Sequence, residues 1–351
     1  MCIDLRENYP GIVCDLDGVV YRGPDAVPHA VEHLSREPRD STGGVIYATN
    51  NASRPPAQVA HHLTQLGLTV TADQIINSSV TGAQVLADRI EAGSTVLAVG
   101  GVGVSQALRE VGLCPTSPAE VADTGRAVDA VLQGYGPDVN ARDLAEVAYA
   151  IQAGAHWVVT NDDRTLPTER GVAPGNGSLV SAVRMAVDID PDVVGKPGPL
   201  MYQLAAERLG TDAAHTLGIG DRLETDVAGA HAAGMDALFV LTGVHGVADL
   251  VACCKSWRPR FVAFDLRSLD ETYQEPVQEG QTWKTDSVTG EMDTSGAQVR
   301  VRFEPAAANP NRSGRVDAHD RLRIALRVLW SAIDSGRMSR EAAVSAVARW
   351  Q

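Results

Sequence analysis

Lysine is almost missing from this chain: of 30 basic residues among 351, only Lys196, Lys255 and Lys284 are not arginine. Basic residues as a class are outnumbered by 44 acids, for a formal charge of −14. So anionic a surface repels phosphate backbones and acidic lipid, which excludes nucleic acid and membrane as bulk partners. An anionic substrate must then be drawn by a local positive charge or a metal ion. No apolar run approaches the ~18 residues of a membrane span. The first residues carry acids early and lack the basic–apolar–small order of a secretion signal, so the expected location is the cytoplasm. The five cysteines are an odd number with no metal-type spacing, which predicts reduced thiols rather than a disulfide framework. Aromatics are only 5%, so the core must be built from Val, Leu, Ile and Ala.

What is present is an alternation. Short apolar runs at 11–17, 45–49, 216–220, 237–241 and 261–265 read as buried strands that end in Gly, Asp or Asn. Helical patterns lie between them, for example 55–67, which closes on Gly67. This order predicts an α/β fold with a doubly wound parallel sheet. The runs at 95–101, 127–136 and 156–162 add three strands, which either extend that sheet or form a layer of their own. Residues 275–296 are polar and turn-rich and read as a linker. Val299, Val301 and Phe303 then alternate with charged residues as in a half-buried strand. Leu322, Ala325, Leu326, Leu329, Trp330 and Ile333 share one helical face, and a last helix is predicted from Ser339. Three of the five tryptophans (283, 330 and 350) lie beyond residue 270, too many for a solvated tail.

Asp15-Leu16-Asp17-Gly18 directly follows the apolar run Ile12-Val13-Cys14. Ligands of open α/β sheets bind beyond the carboxyl ends of the strands. Two carboxylates there suit a nucleophile with an acid/base partner, or a Mg²⁺ site; an ordinary strand-to-turn exit has the same composition. Thr49-Asn50-Asn51 follows Val45–Ala48 and suits a phosphate contact or a helix cap. Lys196 sits among turn formers, Gly195 through Pro199, and in so Arg-biased a chain a lysine there suggests a need for a compact ammonium. Asp221 and Asp226 close the run Gly218-Ile219-Gly220. Gly100-Gly101-Val102-Gly103 imitates a dinucleotide fingerprint, but Gln106 stands where the third glycine belongs, so it reads as a tight turn.

These four segments, in this order, resemble the motif set of the haloacid dehalogenase superfamily of phosphohydrolases over about residues 10–266. The gap between Thr49 and Lys196, the long form Asp15 through Gly23 and the Gly-Asp-Arg-x-x-Thr-Asp segment are similar to the NagD-type, p-nitrophenylphosphatase-like branch, whose cap is a large α/β insertion. The resemblance implies that Asp15 attacks phosphorus and becomes an aspartyl phosphate, and that Asp17 serves as general acid and then general base. It implies Mg²⁺ held by Asp15, the Asp17 carbonyl and Asp221, with Asp226 behind them. It implies that Thr49, Asn50 and Asn51 bind phosphoryl oxygens and that Lys196 neutralises charge. An acid/base at position 17 is superfluous for a dehalogenase, Leu16-Asp17 is not the Lys-Thr of transport ATPases, and about thirty residues between the first two motifs leave no room for a phosphomutase's helical cap.

Residues 160–167 resemble the branch's Thr-Asn-x-Asp-x-x-x-Pro cap loop, which makes Asn161, Asp163 and Arg164 candidate specificity residues. Leu166 stands where some vitamin-phosphate phosphatases of the branch carry histidine. By that analogy the expected substrate is a small phosphomonoester, glycerol 3-phosphate ahead of phosphoglycolate. The alternatives are a nucleotide, sugar or pyridoxal phosphate, or a non-catalytic phosphometabolite-binding or scaffold protein. The expected division is a catalytic core of 1–81 and 189–269, an inserted α/β cap of 82–188, and 270–351 as linker plus a small appendage. A homodimer through the cap or the appendage is compatible with this layout.

Overall fold

The structure, a computed structural model, describes residues 2–36, 43–168, 170–293, 300–305 and 314–348. The chain forms two compact units, Met1–Gly44 with Thr211–Gln351, and Val45–Gly210.

The first unit is built on four parallel strands in the order Phe261–Ala263, Asp236–Val240, Thr216–Gly220 and Gly11–Cys14. Ile12, Val13, Cys14, Leu217, Ile219, Leu238 and Phe239 are all at most 3% exposed. Strands covered on both faces need continuous apolar runs, and each such Leu, Ile, Val or Phe contributes roughly 1.5–3 kcal/mol. The register pairs Ile219 with Cys14, and the Asp15 N–H donates to the Ile219 carbonyl at 2.9 Å. Two acid-bearing strand ends, Asp15 and Asp221, are thereby set side by side.

The C-terminal appendage belongs to this unit. Val277–Glu279, Thr282–Lys284, Val288–Asp293 and Arg300–Pro305 form an antiparallel sheet, covered by the helix Gly314–Asp334. The segment expected to be a linker is therefore mostly strand. Its strands are short and half-exposed, so no apolar run or clean alternation marks them. Gly290 is required there, since a Cβ would stand 2.4 Å from Ile324. Val299 and Trp350 lie outside the described residues, but Val301 and Phe303 pack with Val288, Ile324 and Val328. The long helix is fastened to the parallel sheet and its last helix: Trp330 donates to the Leu250 carbonyl at 2.8 Å, and Arg258 pairs bidentately with Asp334 at 2.7 and 2.8 Å. Ser339 caps the final helix, Arg340–Ala346.

In the second unit, Gly44–Thr49 pairs in parallel with Ile75–Asn77. The middle strands make a parallel sheet of their own, in the order Asp192–Val193, His156–Val159, Ala130–Gln133, Thr95–Val99 and Cys114–Thr116. Val80, Ala83, Leu86, Val104 and Leu108 cover one face, and Val147, Ile151, Val180 and Val183 the other. Gly101 caps the helix Val102–Glu110, and a Cβ on Gly103 would meet the Ala52 carbonyl at 2.5 Å. The glycine cluster thus serves close backbone packing. Among the described residues no helix is long and apolar enough to cross a membrane.

Candidate active site

Asp15 is the first residue past its strand, and Asp17 and Gly18 turn the chain away from it. The Leu16 carbonyl accepts from Val20 at 2.8 Å, and the Gly18 N–H donates to the Tyr21 carbonyl at 2.8 Å. Gly18 takes φ +88°, a left-handed conformation that suits glycine. Asp15 is half-buried and Asp17 exposed, so the second carboxyl lies on the solvent side of the turn.

Asp221 is fully buried and Asp226 is 3% exposed. Past Asp221 the chain makes a single π-helical turn, Leu223–Val227, in which Arg222 O accepts from both Asp226 and Val227. Such turns recur at functional sites because the extra residue re-aims a side chain. Here it folds Asp226 back over Gly220, where a Cβ would stand 2.1 Å from the Asp226 Cβ, and Asp226 Oδ2 accepts from the Arg222 N–H at 3.0 Å. The Val244 N–H donates to Asp221 Oδ2 at 2.5 Å, and the Thr242 hydroxyl donates to the Gly18 carbonyl at 2.7 Å.

Asp15, Asp221 and Asp226 each place a carboxylate oxygen so that all three lie within 4.8 Å of one another. At an effective dielectric near 20, like charges about 5 Å apart repel by roughly 3 kcal/mol per pair. A divalent cation with a preference for hard oxygen donors would offset that repulsion, and the arrangement fits one. The space around Asp221 fits it too. A Cβ at Gly18 or Gly243 would stand 2.6 or 1.8 Å from Asp221 Oδ2, so only glycine leaves the carboxylate its place. Gly243 and Val244 were not singled out in the sequence. The available signal was a fourth strand end, Thr242-Gly243 after Asp236–Val240.

The remaining predicted residues gather in the second unit. Lys196 is 4% exposed, and its ammonium donates to the Ala48 carbonyl at 3.1 Å. The Asn50 carboxamide grips the lysine turn from both sides: Oδ1 accepts from the Lys196 N–H at 2.8 Å and Nδ2 donates to the Lys196 carbonyl at 3.0 Å. Nδ2 also donates to Asp163 at 3.2 Å, while Asn161 donates to the Asn50 carbonyl at 2.8 Å. With both N–H protons engaged, the Asn50 side chain positions Lys196 and the 160–163 loop. Gly195 allows the grip, because a Cβ there would meet the Thr160 carbonyl at 2.4 Å and Asn50 Oδ1 at 2.7 Å. Thr49 is buried and its hydroxyl accepts from the Asn51 N–H at 3.1 Å; Asn51 is exposed and holds Ser53. Ser78 donates to the Asn50 carbonyl at 2.7 Å. It was missed, although Asn77-Ser78 ends the apolar pair Ile75-Ile76 just as Thr49-Asn50 ends its own run. Arg164 is exposed, and its carbonyl accepts from the Gly175 N–H and the Ser178 hydroxyl.

The profile of the haloacid dehalogenase-like hydrolases matches residues 12–114, and one described as HAD-hydrolase-like matches 193–269. A D-glycerol 3-phosphate phosphatase of Mycobacterium tuberculosis is 42% identical over 267 residues, 76% of this chain and 72% of that protein. The chain belongs to the haloacid dehalogenase-like hydrolases. A 5′-nucleotidase of Bacillus subtilis is 35% identical over 68% of this chain and 89% of its own. Among solved structures, a glycerol phosphate phosphatase of M. tuberculosis in complex with magnesium matches 99% of both chains at 35% identity and a TM-score of 0.80. A p-nitrophenyl phosphatase of Archaeoglobus fulgidus matches 75% of this chain and 98% of its own at 27% identity and a TM-score of 0.67. The fold is thus an α/β parallel-sheet core with an inserted α/β cap and a small C-terminal appendage.

Proposed function

We propose that the chain is a Mg²⁺-dependent phosphatase that hydrolyses glycerol 3-phosphate through an aspartyl phosphate on Asp15. The observation that carries the substrate is coverage. The p-nitrophenyl phosphatase runs out at three quarters of this chain, whereas the glycerol phosphate phosphatase matches it nearly end to end, appendage included. The boundaries that go with this reading are a core of 1–81 and 189–269, a cap of 82–188 and a C-terminal segment of 270–351.

Asp15, Asp221 and the Asp17 carbonyl would hold Mg²⁺, with Asp226 fixing Asp221's surroundings. Bound there, the ion would lower the charge repulsion between a phosphate dianion and the attacking carboxylate. The Asp15 carboxylate attacks phosphorus and the bond to the leaving alkoxide breaks. The Asp17 carboxyl gives its proton to that alkoxide, and glycerol departs. Asp17, now a carboxylate, takes a proton from water; the oxygen attacks phosphorus, and inorganic phosphate and the Asp15 carboxylate are released. Lys196 balances charge shared by phosphate and nucleophile, while Thr49, Asn51 and the Asn50 N–H orient phosphoryl oxygens. Asn161, Asp163 and Arg164 lie on the loop we assign to leaving-group recognition. The location that fits is the cytoplasm, where the five free cysteines stay reduced; a homodimer is compatible with this reading.

The test is phosphate release from a panel of glycerol 3-phosphate, phosphoglycolate, a nucleoside 5′-monophosphate, a sugar phosphate and pyridoxal phosphate. The expected result is the highest kcat/KM on glycerol 3-phosphate. A higher value on another member overturns the substrate, and no Mg²⁺-stimulated release from any member overturns the reaction in favour of a binding protein.

A further inference from the structure

We propose that His29, Glu32 and His33 form a second cation site, of the kind that takes Zn²⁺, distinct in chemistry from the carboxylate cluster. His29 immediately precedes the short helix Ala30–Leu34, which carries the other two residues. One ligand atom from each of the three lies within 4.8 Å of the others. His33 Nε2 is 3.8 Å from Glu32 Oε2. The two imidazoles stand 6.4 Å apart between ring centres at 62°. Tetrahedral bonds of about 2.0–2.1 Å to two ring nitrogens put the ring centres roughly 5 to 6 Å apart, so a small closure completes the set.

Three further features point to a ligand. First, His33 is buried and its Nδ1 is bonded to Asp270 Oδ2. That partner fixes the proton on Nδ1 and turns the Nε2 lone pair outward, the arrangement in which a carboxylate braces a metal-binding histidine. Second, among the described residues the charges that face the cluster leave the needed atoms clear. Arg36 reaches Glu32 through Oε1 at 3.6 Å and Asp270 at 3.1 Å, and Arg6 takes the other Asp270 oxygen at 2.5 Å, while Glu32 Oε2 faces His33. Third, His29 holds φ +68°, and among the described residues it is the non-glycine residue at positive φ. Its side chain makes no capping hydrogen bond to the helix it precedes. Glycine would take this conformation without cost, and strained positions of this kind recur at ligand clamps. The set of two imidazoles and one carboxylate with an exposed face prefers zinc, whereas the all-oxygen cluster around Asp15 prefers a harder ion.

The test uses the full chain, dialysed free of metal and then saturated with Mg²⁺, titrated with Zn²⁺ against a chromophoric chelator and followed in parallel by thermal melting. One zinc per chain and a rise in Tm are expected. His29→Gly removes a ligand and relieves the left-handed strain, so it should melt no lower than wild type without zinc yet bind zinc more than about tenfold more weakly. Glu32→Gln should weaken it in the same direction, and Asp221→Asn should leave it unchanged. Equal zinc affinity in wild type and His29→Gly overturns the proposal. So does loss of zinc binding in Asp221→Asn, which would place the ion in the carboxylate cluster. Because the readout is binding, it stands or falls separately from phosphatase activity.

Discussion

The glycine at position 243 should be as necessary to turnover as the acids themselves. A Cβ built there lies 1.8 Å from Asp221 Oδ2 and 2.2 Å from its Cγ. Ordinary contact begins near 3.4 Å, so in Gly243→Ala the carboxylate must retreat by roughly 1.5 Å, and displacements of about 1 Å at reacting centres cost on the order of 10²-fold in rate. The retreat also breaks the hydrogen bond from the Val244 N–H. The expected loss in kcat/KM is therefore at least about 10²-fold, near 2.7 kcal/mol in transition-state stabilisation. It should come with a weaker response to Mg²⁺, because the shifted group is a proposed ligand. The assay is phosphate release from glycerol 3-phosphate at graded Mg²⁺, with thermal melting to show that the fold persists. Wild-type kcat/KM and an unchanged Mg²⁺ midpoint in Gly243→Ala would refute the reasoning, since the clash would then have been absorbed without moving Asp221.

Removal of divalent cations with a chelator should abolish turnover, and added Mg²⁺ should restore it; activity that survives chelation would contradict the cation's role. Asn50→Ala leaves the Lys196 N–H and carbonyl without their carboxamide and is expected to lower kcat/KM by about 10- to 100-fold, read by steady-state kinetics beside a melt. Trp330→Ala deletes a side chain 4% exposed that is bonded to Leu250 and covered by Arg258, so a loss of about 3–5 kcal/mol is expected in denaturant unfolding. The Cys253 thiol is pushed up to about 11, chiefly by burial, so a thiol reagent at neutral pH should label exposed Cys2 and Cys114 well before it. Asp270 has a depressed carboxyl, so its contribution to stability is present at neutral pH and lost as pH falls through that lowered value; the Tm gap between wild type and Asp270→Asn, without zinc, should close under acid.

The parallel strands were legible because burial on both faces leaves an unbroken apolar run, as in Thr216–Gly220, where the read and observed limits coincide. The acids were legible for a related reason: Asp15 and Asp221 end such runs, and the parallel register then aligns the ends. The appendage sheet was not, since three-residue strands such as Thr282–Lys284 with intermediate exposure carry no periodic signal. The hydrogen bonds of Asn50 were also hidden, because their partners Lys196 and Asp163 lie 146 and 113 residues away in sequence. The glycines around Asp221 illustrate the same limit: a sequence shows a missing side chain but not the carboxylate that occupies its space.

In the proposed function Asp15 is the nucleophile of a glycerol 3-phosphate phosphatase. The most direct measurement is Mg²⁺-stimulated phosphate release from glycerol 3-phosphate by wild type and by Asp15→Asn, with their melting curves compared. Turnover is expected from wild type and none above background from the variant, at an unchanged Tm. Sustained turnover by Asp15→Asn, or a wild type that leaves glycerol 3-phosphate intact, would contradict it.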